Sequence, residues 1–123
     1  MSGEDRVIMM RMDERWLDRQ FVYSARHGIA LPSLENDWEE LPTECQAAIL
    51  SRWEMIRGTI PDRIFSLEEA IRVKQKLLFE EEDFATSCRI NGDIADLASR
   101  INDLNIWFRT RQELEPRAKP HIG

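Results

Sequence analysis

The residues whose types and spacing could do chemistry are carboxylates. Glu80-Glu81-Glu82-Asp83 is the densest acidic run in the chain, and Asp93 and Asp96 come shortly after it. Glu80 and Asp83 are spaced i, i+3, as are Asp93 and Asp96, so on helices each pair shares a face. Hard divalent cations take oxygen ligands of this kind. A bound Mg²⁺ could polarise a phosphoryl group and activate water. The metal set this reading names is Glu80, Asp83, Asp93 and Asp96.

Carboxylate pairs on adjacent antiparallel helices hold the metal in all-α Mg²⁺-dependent nucleotide pyrophosphatases. The acids here are similar in outline to the ExxE…ExxD pattern of those enzymes. They depart from it in having too short a spacing between the pairs and no placeable catalytic basic residues. An acidic run on a helix is also what a plain solvated face looks like. This enzyme is therefore the alternative reading, and no catalytic residue is assigned.

Other chemistries find no footing. There is no G-x-S-x-G and no glycine-rich phosphate loop. No Cys/His cluster has zinc spacing. His27 and His121 are the only histidines, and they are far apart. His27 is expected at a helix end, where a cationic ring suits the dipole. Cys45 and Cys88 form no C-x-x-C pair and suggest two buried thiols in a reducing compartment. No cofactor is expected.

Recognition is the stronger candidate. Leu34, Trp38 and Leu41 fall at i, i+4 and i+7 among acids, the pattern of an apolar helix face that docks in a groove. Tryptophan is enriched among residues that dominate binding energy. Lys74 and Glu81 interrupt the apolar stripe of a later helix. They are expected either at a wet end or against opposite charges on a partner. The partner-binding set is thus Leu34, Trp38, Leu41, Lys74 and Glu81. The partner is another protein, or a second copy in a homodimer.

Charge narrows the partner. The 123 residues carry a net charge of −6, and 29–62 hold seven acids against only Arg52 and Arg57. An acidic surface repels phosphate backbones, which makes nucleic acid unlikely. Arg109, Arg111, Arg117 and Lys119 are the one basic cluster, interleaved with Glu113 and Glu115. No apolar run reaches the ~20 residues of a membrane span. The acidic N-terminus does not read as a signal peptide. A cytoplasmic location is expected.

The elements that must position these residues read as helices. The expected fold is all-α, a bundle of four to five helices in one domain over 1–114 with a tail at 115–123. A first helix is expected from Glu4 to His27, stopped by Gly28. Its stripes are Met10, Leu17, Phe21, Ala25 and Met9, Met12, Trp16, Tyr23. Val7–Met12 could instead be a strand, with nothing obvious to pair with. Ile29–Pro32 reads as a loop, and Ser33 as the cap of a short helix ended by Pro42. Thr43-x-x-Gln46 fits a capping box for a helix stopped by Gly58. Thr59–Arg63 reads as a turn around Pro61-Asp62. Ser66 with Glu69, preceded by Phe65, reads as the start of the next helix, with Phe65 stapled on Ala70.

The last stretch contains two stripes. One runs Leu67, Ala70, Ile71, Leu77, Leu78, Phe84, Ala85, Cys88; the other runs Ile94, Leu97, Ala98, Ile101, Leu104, Phe108. From Leu67 to Ile94 a continuous helix would advance by about 180°, so the stripes would face opposite sides. A break lets them share a core. Asn91-Gly92 tolerates a left-handed turn, and Asp93 can cap the next helix. The expectation is an antiparallel helical hairpin with arms at about 66–90 and 93–113. On these grounds the sequence predicts a small interaction module, a regulator, adaptor or assembly factor, acting through apolar helix faces.

Overall fold

Asp13 opens the part of the chain that the computed structural model describes, residues 13–110. Its carboxylate accepts from the Trp16 backbone N–H at 2.9 Å and caps a short helix, α1, Glu14–Arg19. This capping bond holds the Asp13 pKa below the ordinary carboxylate value. The chain then turns directly into strand β1, Phe21–Ser24, which pairs antiparallel with β2, Ile29–Pro32. Gly28 closes the loop between them at φ 74°, a left-handed conformation that glycine adopts without strain.

The expected helix over Glu4–His27 is therefore corrected. Only six of its residues are helical among those described, and its stretch before Asp13 lies outside the described residues, with Val7–Met12. Phe21-Val22-Tyr23 are β-branched or aromatic, which suits a pleated surface better than a helix. The predicted Ile29–Pro32 loop is the partner strand. His27 sits in the hairpin loop, its Nδ1 2.7 Å from the Ser24 hydroxyl, not at a helix end. Pro32 lies at the end of an edge strand, where its missing N–H costs no ladder bond.

Beyond Pro32 a single 3-10 turn, Trp38–Glu40, replaces the helix expected after Ser33. The cause is Gln20. The Ser33 N–H donates to the Gln20 carbonyl at 2.8 Å, and the Glu35 N–H donates to Gln20 Oε1 at 3.1 Å. Those amides are committed to bonds that hold the segment extended. Helix α2, Thr43–Arg57, comes next. Its expected capping box does not form: the Gln46 amide donates to the Trp38 carbonyl at 2.8 Å, and the Gln46 N–H donates to the Pro42 carbonyl. Ile49 and Trp53 are fully buried and Cys45 nearly so.

Two long helices complete the chain, α3, Ile60–Glu80, and α4, Phe84–Arg109. They pack on each other across a three-residue turn. A helical hairpin is present, but its break lies at 81–83, not at Asn91-Gly92. Both of those residues sit inside α4. The helix before the break also starts earlier than expected. Pro61 occupies its first turn, where the missing N–H is harmless, and Ser66 lies in mid-helix. Phe65 is 59% exposed, so it is no staple.

The less exposed positions of α3 include Ile60, Ile64, Leu67, Ile71, Lys74 and Leu78. In α4 they include Ser87, Ile90, Ile94, Leu97, Ile101 and Leu104. Both sets alternate steps of three and four residues, the heptad pattern of two helices meeting along a seam. The chain is mostly helical but carries a two-stranded ribbon, so all-α holds only in the coarse sense. The ribbon and the 3-10 turn stand where further bundle helices were expected.

The described residues form two compact units. One contains 13–57 together with Thr110, and the other is the hairpin, Gly58–Arg109. The proposed tail at 115–123, and Arg111, Glu113, Arg117, Lys119 and His121, lie outside the described residues.

Gly92 gives a direct check on the corrected break. It has a helical neighbourhood, no positive φ, and nothing within 4 Å of an added Cβ. Gly92→Ala is expected to stabilise the protein by roughly 0.5–1 kcal/mol through the lost backbone entropy of glycine. Thermal denaturation measures it. A turn at Asn91-Gly92 would make the same substitution destabilising.

Candidate functional site

The metal reading needs four carboxylates to converge, and each has another position or partner. Asp83 caps α4: its carboxylate accepts from the Thr86 hydroxyl at 2.7 Å and the Thr86 backbone N–H at 2.9 Å. These bonds hold its pKa below the usual carboxylate range. Asp93 lies ten residues further along the same helix, roughly 15 Å of axis, and meets Lys74 Nζ at 3.0 Å. Asp96 pairs with Arg100 at 2.7 Å. Glu80 ends α3. Moving the break to 81–83 removes the reason for expecting Asp93 and Asp96 beside Glu80. Among the described residues no group of three or more His, Cys, Asp or Glu side chains is placed to hold a metal ion.

The partner-binding candidates are distributed differently from the expectation. Trp38 is buried, at 8% exposure, and Leu34 and Leu41 are half-buried. The three do not share a helix face, because no helix runs through them. Lys74 lies on the α3 seam and finds its opposite charge, Asp93, on the other arm of the same hairpin. Glu81 comes just after the last turn of α3 and accepts from the Asp83 N–H at 3.0 Å. Both interrupt the apolar stripe for reasons internal to the hairpin.

Beside them, Gln20 forms the most complete polar constellation. It is fully buried. Its amide nitrogen donates to the Trp16 carbonyl and to Glu35 Oε1, each at 3.0 Å. With the two backbone bonds from Ser33 and Glu35, its side-chain amide and its carbonyl are all engaged. Glu35 also accepts from Arg19 at 3.3 Å. The Gln20 bond, then Arg19, lowers the Glu35 pKa. This is a structural clasp that ties Trp16, Ser33 and Glu35 to one side chain and its backbone. Nearby, Arg52 bridges Glu14 and Asp18 of α1 at 2.9 Å each. Of the two thiols, Cys45 is buried, and burial followed by Glu44 raises its pKa. Cys88 is exposed, contrary to expectation.

What sequence reasoning missed is the outer surface of the hairpin. Among the described residues, the large apolar side chains that remain exposed are Val22, Tyr23, Met55, Phe65, Val73, Leu77, Phe79 and Phe84. Five of these eight belong to α3 and α4. Relative to the seam, Phe65 and Val73 lie on the far side of α3 and Phe79 on its flank, from their spacing at about 100° per residue. Between them run Glu69 and Arg72, which pair with each other, and Lys76. A usable signal existed: Phe65, Val73 and Phe79 are out of phase with Leu67, Ile71 and Leu78. No helix among the described residues is long and apolar enough to cross a membrane. No family model, curated protein or solved structure matches this chain.

Proposed function

We propose that this protein is a small protein–protein interaction module that works through the exposed apolar side chains of its helical hairpin, those of α3 in particular. The observation that carries the reading is the exposure of Phe65, Val73, Leu77, Phe79 and Phe84 on one two-helix unit. Scattered single apolar residues on a surface are ordinary, whereas a concentration of large ones marks a site that is covered in use. The seam of the hairpin is filled by other residues, so these five are not needed to hold its arms together. The occupant is another protein or a second copy of the chain. Trp38 contributes to the fold in this reading, and Lys74 and Glu81 set the geometry of the hairpin.

The test is a photo-crosslinking amino acid placed at Phe65 or Val73, with Ser51 of α2 as the control position. Adducts are expected from the hairpin positions and not from the control, and adduct mass separates a second copy from a different protein. In parallel, the Phe65→Ser/Val73→Ser protein is expected to melt within a few degrees of the parent, as exposed substitutions do. Absence of adducts from both hairpin positions rejects the reading. So does a stability loss as large as that of a core truncation, because the two side chains would then be packing residues.

A further inference from the structure

The hairpin tip is the most exposed part of that surface. Phe79 is 92% exposed and Phe84 81% exposed, and between them lie Glu80, Glu81, Glu82 and Asp83 with no basic residue. The Glu80 and Glu82 side chains make no hydrogen bond or ion pair among the described residues. Glu81 and Asp83 are used to fix the turn: Glu81 accepts from the Asp83 N–H, and Asp83 caps α4 through Thr86. The turn is thus held by its own side chains, and the two phenyl groups are presented from the ends of ordered helices. Rigid aromatic anchors lose little freedom on binding, which is what makes such residues dominate interfaces.

We infer that the tip, Phe79–Phe84, docks on a basic protein surface that offers apolar pockets rimmed by lysine or arginine. This inference rests on the hairpin reading above and names the chemistry of the partner. The charge around the phenylalanines decides between occupants. Four carboxylates in six residues repel nucleic acid and anionic lipid headgroups. They also oppose a second copy's identical tip. They complement a cationic rim, which would speed encounter and fix register. The phenylalanines supply what charge alone lacks, a buried apolar anchor.

The experiment uses the full chain and a fluorescently labelled amphipathic helical peptide built from leucine and lysine. Its counterparts are a leucine–glutamate peptide and a serine–lysine peptide of equal length. Anisotropy titrations are run at low and high salt, together with flotation on phosphatidylserine vesicles. Binding of the leucine–lysine peptide is expected to weaken about tenfold or more in Phe79→Ser/Phe84→Ser, in line with the loss of two hot-spot anchors. Glu80→Gln/Glu82→Gln is expected to weaken it and to flatten its salt dependence. Glu40→Gln/Glu44→Gln removes the same charge from outside the hairpin and is expected to leave binding unchanged. Equal binding of the serine–lysine peptide, equal effects of the two carboxylate pairs, binding to the vesicles, or no binding at all would overturn the inference. Crosslinking from Phe65 and Val73 judges the wider reading separately. Adducts there with a tip that ignores the peptide leave the hairpin surface standing without the basic partner. Failure of both removes the surface altogether.

Discussion

Trp53→Ala is expected to destabilise the protein by about 3–5 kcal/mol from the lost packing alone. Trp53 is fully buried in α2, and its indole N–H donates to the Thr110 carbonyl at 2.6 Å. Thr110 is itself 4% exposed, so the truncation also leaves a buried acceptor without its donor. An orphaned buried group adds about 1–3 kcal/mol. Domains of ordinary size have only about 5–15 kcal/mol in total. The variant should therefore be largely unfolded or melt far below the parent. Trp53→Phe keeps most of the ring and removes only the donor, so it should fall between the two. Urea titration followed by circular dichroism measures both, and an unchanged midpoint for Trp53→Ala would refute the packing described for this unit.

The second large effect is expected in the hairpin. Leu104 of α4 is fully buried, and Leu104→Ala should cost about 2–5 kcal/mol. The matched comparison is Leu77→Ala in α3. Leu77 belongs to the apolar stripe of the other arm in the sequence, yet it is 48% exposed. Its truncation should cost well under half as much. Amide hydrogen exchange resolved to α3 and α4 is the appropriate measurement, because it reports the hairpin apart from the other unit. Equal effects at the two leucines would place the seam on the wrong face.

Much of the helical second half can be read directly from its residues, and the place where that reading goes astray is informative. A half-turn slip between the Leu67 and Ile94 stripes is real. Phase shows that a slip exists but not where it falls. Phe84, Ala85 and Cys88 can be appended to the first stripe or left as the flank of a new helix. The decisive residue is Asp83, with Thr86 three positions on to receive its cap. Three consecutive glutamates before it are good helix formers and hide the end of α3. Asn91-Gly92 looks like a turn by residue type alone. With no steric demand on it, Gly92 simply continues the helix.

The first half was less legible because its deciding interaction is non-local. Gln20 is an unremarkable residue in a helical-looking stretch. In the fold it takes the amides of Ser33 and Glu35, some thirteen to fifteen positions away. Those bonds hold Ser33–Asp37 out of a helix and thereby dissolve the Leu34/Trp38/Leu41 face. The ribbon beside it had a sequence signal in Phe21-Val22-Tyr23 and Ile29-Ala30-Leu31 around Gly28, but a helical period fits the same residues. As for the site, composition argued against nucleic acid by charge, while the choice of aromatic anchors depended on which side chains the seam left outside.

The Trp53–Thr110 bond has one more consequence. It ties the residue just after α4 to the third turn of α2, close to where the chain departs for the hairpin at Gly58. Thr110 thus closes the unit that 13–57 begins, and the hairpin residues 58–109 are an insertion in its sequence. A residue added in the 81–83 turn is therefore expected to leave the stability of the first unit nearly unchanged.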